Sequence, residues 1–192
     1  MAYLADWAIL TGRGLRHNSG MLLANPLPNG GQTVEILPFP LLGSRPGPRP
    51  RTRDALPHMQ LDQWPPPALV KRLLARSLSL PQVRTRQSRM ASPETQALWV
   101  PDELARGPHE AYIDGYEFCH LHPLPEGSLH LTLPAGIRQQ AIEFGWAESH
   151  LLARAGYFPD SLVMTYAPRN EFELDMVVYL VELSCNFAKG CF

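Results

Sequence analysis

The residues of this chain best suited to chemistry are three histidines in the stretch EFCHLHPLPEGSLHLTLP, residues 117–134. His120, His122 and His130 are three of only seven histidines in the sequence. Imidazole titrates near neutral pH, so it can move protons, and its neutral form is a good ligand for zinc, iron or copper. The stretch is therefore typical of a metal site or an acid–base site. The alternative is a half-exposed sheet face that merely carries histidines.

The spacing of these histidines predicts that they share one face of a β-hairpin. Residues 111–122 and 128–133 read as two strands, and PLPEGS between them has the composition of a turn. Side chains of a strand alternate between its two faces. Leu121, Leu129 and Leu131 therefore fall on one face and the histidines on the other. With the leucines in the core, the imidazoles converge on one ligand, which favours a functional site of either kind.

Composition limits the class of protein. At 192 residues, with 45% hydrophobic and 18% charged residues, the chain suits one globular domain. A net charge of −1 gives no electrostatic signal for nucleic acid. Three widely spaced cysteines without a CxxC motif indicate reduced thiols. The segment AYLADWAIL is too short for a membrane span and lacks the basic start of a signal peptide. We expect a soluble, cytoplasmic protein; its oligomeric state stays open.

Proline divides the chain into two parts. The sequence has 20 prolines, and they are dense between residues 25 and 67, where they exclude a long helix or a central strand. We therefore assign residues 1–64 to a proline-rich N-terminal arm packed on the domain, with a short strand near residues 33–37. Residues 65–192 form the domain itself, so the chain is a single globular unit. We expect the arm to wrap the sheet and help to close the pocket.

The part after the arm has the pattern of an α+β domain. Its predicted elements are a helix at 68–78, strands at 83–89, 111–122 and 128–133, a helix at 134–144, a strand at 161–166 and a final helix capped by Asn170. Residues 98–110 read as a loop. Asn170 with Glu173 three residues later has the spacing of a capping box. This order favours an antiparallel sheet with helices packed on one face, preceded by the proline-rich arm.

Four further residues are candidates for the same site. His150 follows Gly145 and Trp146 in the stretch GWAESHLLA and could face the histidine cleft. Arg169 precedes a helix N-terminus, where a guanidinium and backbone N–H groups can bind an anion together. Its alternative role is an ion pair with a glutamate of that helix. Trp146 and Tyr166 are residues that occur more often in a core than in a ligand site.

Several of these motifs, taken in order, make the chain resemble the fungal luciferase family. The family pattern Glu-x-x-His-x-His falls on residues 117–122, with a further histidine at 130. Gly-Trp-x-x-x-His falls on residues 145–150, and Tyr-Ala-Pro-Arg-Asn-Glu on residues 166–171. The resemblance extends over residues 110–188. It is looser over RPRTRDALPHMQLDQ, residues 49–63, which is similar to a histidine-containing arm of that family.

The resemblance implies an oxygenase, that is, an oxidoreductase of the luciferase and monooxygenase kind. Members of the family oxidise 3-hydroxyhispidin, an enolic α-pyrone, with O2 and without an added reductant. A histidine base would ionise the enol, and the enolate would react with O2 directly. Neither nicotinamide nor flavin is implied, and the chain has no GxGxxG motif. The luminous members carry an N-terminal membrane helix that is not evident here, and the resemblance supports oxygenase chemistry more than light emission.

The resemblance also implies roles for individual residues. The expected catalytic residues are His120, His122, His130 and Arg169. The expected substrate-binding residues are Glu117, Trp146, His150 and Tyr166. The expected partners are an enolic or aromatic small molecule and O2, with no cofactor beyond O2, and a metal held by the three hairpin histidines is left open.

Two other functions fit the same residues. The first is a metal-dependent enzyme in which His120, His122 and His130 are the ligands, for O2 activation or for hydrolysis. The second is a non-catalytic small-molecule-binding module that keeps the pocket for an aromatic ligand. Metal content separates the first from a cofactor-free oxygenase, and oxygen consumption separates an enzyme from a binding module.

Overall fold

The computed structural model describes residues 42–192. The strand expected at residues 33–37 and most of the arm expected at residues 1–64 lie outside the described residues. Of the part of that arm that is described, residues 42–64, Leu42 is buried in the core with 3% of its surface exposed. Trp64, for which burial would be expected from its size, is 57% exposed.

Four α-helices follow the arm. They are α1 (Pro67–Leu78), α2 (Ala135–Glu143), α3 (Leu151–Arg154) and α4 (Glu171–Ala188). Prolines begin α1, as expected for residues whose missing N–H costs nothing in a first helical turn. Asn170 caps α4 by accepting a hydrogen bond from the backbone N–H of Glu173. The reciprocal half of the predicted capping box is not formed, because the Glu173 carboxylate accepts from the backbone N–H of Arg169 instead.

The sheet has six strands, and every neighbouring pair is antiparallel. The strands are β1 (Arg84–Gln87), β2 (Gln96–Trp99), β3 (Glu117–Leu121), β4 (Leu129–Thr132), β5 (Ala147–Ser149) and β6 (Leu162–Thr165). Their order in the sheet is β1-β2-β3-β4-β6-β5. The predicted α+β fold with an antiparallel sheet is confirmed.

The sequence pattern misses two strands. Residues 98–110 were expected to be a loop, but the first two of them belong to β2, which lies between β1 and β3. Strand β5 is only three residues long and pairs with β6. Segments this short do not show a period of two, so their pairing with a neighbour decides that they are strands.

The main core lies between one face of the sheet and three of the helices. Leu73 of α1, Ile137 of α2 and Leu180 of α4 are buried in the same cluster as the hairpin residues Cys119 and Leu131. The leucine face of the hairpin is thus the core face, as the alternation predicts. Cys119 lies within this core, and burial raises the pKa of its thiol. Among the described residues, no helix is both long enough and apolar enough to cross a membrane.

A β-bulge at Phe118 changes the alternation of β3. Cys119 pairs with Leu98, but the next pair joins Glu117 to Trp99, so Phe118 is an extra residue. One inserted residue shifts every side chain beyond it to the other face. The bulge therefore brings Glu117 onto the same face as His120, although the two residues are three apart in the strand.

Gly127 closes the hairpin and allows it to lie against α1. Its φ of +69° is in the left-handed region. A Cβ atom at this position would lie 2.9 Å from both Pro65 Cγ and Val70 Cγ2. We therefore expect Gly127→Ala to lower the free energy of unfolding by about 1–3 kcal/mol, from backbone strain and overpacking together. Urea denaturation followed by circular dichroism measures the change.

The control is Gly136→Ala. Gly136 is exposed in α2, and a Cβ added there meets no atom within 4 Å. Alanine favours a helix over glycine, so this variant should be more stable by about 0.5–1 kcal/mol. Equal stability of the two variants would contradict the role given to the hairpin glycine.

Candidate functional site

Five histidines are buried together on the face of the sheet opposite the main core. They are His58, His120, His122, His130 and His150, and their exposed fractions run from 0 to 9%. The ring of His130 is central, because its centroid lies 4.3–5.9 Å from those of the other four. The three hairpin histidines therefore do not occupy a solvated sheet face, which was the alternative to a site.

Neighbouring strands and one arm segment bring these rings together. His120 and His130 are direct partners across β3 and β4. His122 follows β3, and its backbone N–H donates to the carbonyl of Ser128 to close the hairpin. His150 caps α3, and its Nδ1 accepts from the backbone N–H of Leu152 at 3.2 Å.

His58 comes from the described part of the arm, of which residues 58–60 cover the cluster. The carbonyl oxygen of His58 accepts a hydrogen bond from His130 Nε2 at 3.0 Å. Two residues later, the backbone N–H of Gln60 donates to Glu126 at 2.7 Å, and its side-chain oxygen accepts from the backbone N–H of Ala167 at 3.0 Å. Residues 58–60 are thus held over the histidines by backbone and side-chain bonds.

Three of the five rings each contact a carboxylate of their own. Glu117 lies 2.7 Å from His120 Nδ1, Glu126 lies 2.7 Å from His122 Nδ1 and Glu148 lies 2.7 Å from His58 Nε2. The other partners of these carboxylates are Ser88 Oγ for Glu117, the backbone N–H of Ser128 for Glu126 and Tyr166 for Glu148. Each carboxylate fixes the orientation of its imidazole and the nitrogen that carries the proton.

Burial keeps several of these imidazoles neutral. It lowers the pKa of His120 and lowers that of His130 further, where the neighbouring histidines add to the effect. For His150, burial and the charge of His58 bring the pKa to about 3. Burial alone would raise the pKa of Glu126 and Glu148, but hydrogen bonds from their histidines together with those from other neighbouring donors outweigh it and lower both. The site therefore combines neutral imidazoles with ionised carboxylates.

Comparison with known proteins adds to this geometry. Residues 115–184 match the family model of the luciferase domain. The resemblance to the fungal luciferase family is confirmed. A luciferase of Armillaria gallica is 28% identical over 165 residues, which cover 78% of this chain and 62% of that protein. Luciferases of Armillaria mellea and Neonothopanus nambi are 36% identical over 73 residues, 37% of this chain.

The chain spans only part of these luciferases. The aligned residues make up 62% of the Armillaria gallica protein and 27% of the other two. No solved structure matches the chain. The luciferase-domain match includes four of the five clustered histidines, and His58 lies before it.

The residues expected to bind substrate lie in different surroundings in this structure. Glu117 and His150 belong to the histidine cluster. Tyr166 is connected to it, because its hydroxyl donates to Glu148 at 2.9 Å. Burial raises the pKa of this hydroxyl, so it stays protonated. Trp146 is buried in the main core, where its Nε1–H donates to the carbonyl of Gly43 at 2.6 Å. The role expected for each in substrate binding stays a prediction.

Arg169, expected among the catalytic residues, lies in a separate ion cluster. Its guanidinium pairs with Glu173 and donates to Gln63 and to the carbonyl of Pro46. Arg45 of the arm lies 3.4 Å from the same Glu173 carboxylate and 5.5 Å from the Tyr166 ring centroid. These contacts match the alternative role, an ion pair with a glutamate of α4. The catalytic role of Arg169 stays a prediction.

Three residues of the site have no role in the sequence-based predictions. These are His58, Glu126 and Glu148, and each is joined to the cluster by a hydrogen bond of 2.7 Å. The available signal for His58 was its place in residues 49–63, the arm stretch with the looser family resemblance. Glu148 gives no such signal, because it reaches the cluster through the pairing of the unpredicted strand β5.

The ion cluster yields a stability prediction. Glu173 is fully buried and Arg45 is 2% exposed at the side chain, so Glu173→Gln leaves a buried cation without its carboxylate. Breaking a buried pair in this way costs about 3–5 kcal/mol of folding free energy near neutral pH. Urea denaturation of both proteins at pH 7 measures this loss. As a control, Glu171→Gln removes only the exposed pair with Arg72 and should leave the midpoint nearly unchanged.

The stability contribution of Glu173 should also depend on pH. Burial alone raises the pKa of Glu173, but the hydrogen bonds from Arg169 and the charges of Arg45 and Arg169 together outweigh it, so the folded-state pKa lies below its ordinary value of 4.5. Its contribution is therefore present above pH 4.5 and is lost as the pH falls through the folded-state value. The difference in stability between wild type and Glu173→Gln should shrink below pH 4.5. A constant difference down to acid unfolding would contradict this assignment.

Proposed function

We propose that this protein is a luciferase-like oxygenase that adds O2 to an enolic α-pyrone or a related aromatic polyketide-type compound such as 3-hydroxyhispidin. The reaction is assisted by histidine and needs neither nicotinamide nor flavin. The observation that supports the proposal most is a cluster of five buried imidazoles, three of them hydrogen-bonded to carboxylates, most of it within the luciferase-domain match. Clustered titratable groups of this kind mark functional sites.

The first step assigned to the site is removal of the enol proton. His120 and His122 suit this role because each has one nitrogen on a carboxylate. The imidazolium that forms when the other nitrogen takes a proton is then stabilised by that carboxylate. His130 lacks a carboxylate partner among the described residues, and burial, together with the neighbouring histidines, lowers its pKa. It therefore suits hydrogen bonding to the substrate or the developing oxyanion better than proton storage.

The second step is the reaction of the enolate with O2. The electron-rich carbon supplies the electron pair that forms the new C–O bond, so O2 is reduced by the substrate and no external reductant is consumed. The resulting peroxide closes to an endoperoxide, which loses CO2 and leaves a caffeylpyruvate-like product. A dry site protects the peroxide from water, and the low exposure of the five rings supplies such surroundings.

Access to the cluster requires movement of the arm. A pocket of about 210 Å³ is lined by residues such as Arg138, Asp160 and Phe187, and by none of the five histidines. Residues 58–60 lie over the rings and are held by the bonds of His58 and Gln60. In the proposed cycle this segment moves aside for the substrate and returns to exclude water.

Oxygen uptake tests the proposal. With 3-hydroxyhispidin or a simple 4-hydroxy-2-pyrone, the wild-type protein should consume O2 in an oxygen electrode. Because His130 lies at the centre of the cluster, His130→Ala should lower the rate by about 10²–10³-fold, the range for loss of one hydrogen-bond donor to an oxyanion. Photon counting on the same samples records any light.

The matched control is His109→Ala. His109 is exposed and lies outside the cluster, so this variant should consume O2 at the wild-type rate. If the wild-type protein binds such an enol tightly and consumes no O2, the protein is a binding module and the oxygenase proposal is wrong. Equal rates of O2 consumption for the two alanine variants would show that His130 has no role in the reaction.

A further inference from the structure

Hydrogen-bond partners fix the protons on two hairpin histidines. A carboxylate can only accept, so His120 Nδ1, 2.7 Å from Glu117, carries a proton. His122 Nδ1 carries one for the same reason, because it lies 2.7 Å from Glu126, which also accepts from a backbone N–H. In the neutral rings the Nε2 atoms of His120 and His122 are therefore unprotonated and hold lone pairs.

His130 has the opposite tautomer. Its Nε2 lies 3.0 Å from the carbonyl oxygen of His58, which can only accept, so Nε2 carries the proton and Nδ1 holds the lone pair. This Nδ1 lies 3.0 Å from His120 Nε2. Two lone pairs thus face each other at hydrogen-bond distance in a buried place. The contact needs a positive centre between or beside the two nitrogens, either an added proton or a metal ion.

Several features favour the metal ion. One ring nitrogen from each of His120, His122 and His130 lies within 4.8 Å of the others. Nitrogens bound tetrahedrally to zinc at 2.0–2.1 Å are roughly 3.3 Å apart, close to the 3.0 Å of the His120–His130 pair.

We propose that His120, His122 and His130 bind a divalent first-row transition metal ion through His120 Nε2, His122 Nε2 and His130 Nδ1. Three neutral imidazoles with an open fourth position are the ligand set of catalytic rather than structural ions. Glu117 and Glu126 hold the ligand rings from behind, as carboxylates do at histidine metal sites.

A second group of histidines fits a metal less well. His58, His130 and His150 also offer nitrogens within 4.8 Å of one another. However, His150 Nδ1 accepts from the backbone N–H of Leu152, so its Nε2 carries the proton and has no lone pair to give. His130 Nε2 is likewise occupied by the carbonyl of His58. The proton positions therefore select the hairpin triad.

His58 has a different role, as a hydrogen-bond acceptor next to the proposed metal site. Its Nε2 donates to Glu148, which leaves Nδ1 as a buried lone pair without a hydrogen-bond partner among the described residues. This atom is available to accept a hydrogen bond from a hydroxyl group bound at the open position. A bound ion would occupy the Nε2 lone pairs of His120 and His122, so it would replace these two bases and favour ionisation of the enol as a Lewis acid. This use of the ion rests on the proposed oxygenase function, whereas the metal site itself does not.

Cobalt binding tests the site. The full chain is purified without a histidine tag, stripped with a chelator and titrated with Co²⁺ by calorimetry and visible absorption. Wild type should bind one ion per chain with the absorption of a low-coordinate nitrogen site. His120→Asn, His122→Asn and His130→Asn should each weaken binding by more than about 100-fold. Glu117→Gln and Glu126→Gln should weaken it by about 10–100-fold, the range for loss of an outer carboxylate.

Two variants are matched controls. His150→Asn belongs to the competing group, and asparagine is itself a good N-cap, so α3 keeps its cap and Co²⁺ binding should be unchanged. His109→Asn removes an exposed histidine outside the cluster and should also bind as wild type. Circular dichroism shows which variants are folded. If a ligand variant does not fold, the two glutamate variants, which keep all three imidazoles, decide the result.

Three results would overturn the metal site. They are the absence of saturable Co²⁺ binding by folded wild type, wild-type affinity in folded ligand or glutamate variants, and loss of binding in His150→Asn. The first would mean that a shared proton occupies the contact between His120 and His130. Oxygen uptake separates this question from the oxygenase proposal. Co²⁺ binding without any O2 consumption would support the metal site and contradict the oxygenase proposal. O2 consumption at the full rate by metal-free protein would show that the ion has no part in catalysis, without contradicting the metal site.

Discussion

The arrangement of this protein depends on the cost of burying imidazoles. A buried polar atom without a partner is unfavourable by about 1–3 kcal/mol, and five imidazole rings lie together here with little exposure. Glu117, Glu126 and Glu148 each satisfy one ring nitrogen, and backbone groups of His58 and Leu152 satisfy two others. The nitrogens left over converge on the centre of the cluster, which is where chemistry can take place.

Satisfying these nitrogens requires the arm. Without residues 58–60, the Nε2–H of His130 would lose its acceptor and Glu126 would lose a donor. A second set of contacts fixes the neighbouring part of the arm, where Arg45 meets the Glu173 carboxylate. Residues 58–60 of the arm are therefore part of the candidate site, and their movement would change the hydrogen bonding of the clustered histidines directly.

Much of the fold is encoded by local pattern. The prolines before α1 and the asparagine that caps α4 mark where these helices begin, and strict alternation in the hairpin gives the face that packs on the core. The alternation also brings His120, His122 and His130 together, so the centre of the site can be predicted from neighbouring residues. Strands β2 and β5 cannot, because they are too short to show a period and depend on pairing with distant strands.

The amino-acid sequence thus specifies the hairpin, its leucine face and the shared face of the three histidines, because each follows from the two-residue period of a strand. Folding in three dimensions adds the rest. A bulge at Phe118 turns Glu117 toward His120, the pairing of β5 brings Glu148 to the cluster, and the arm carries His58 across it. These contacts join residues as many as 90 positions apart. No local period records such separations, because only the packing of the arm and the sheet brings the partners within bonding distance.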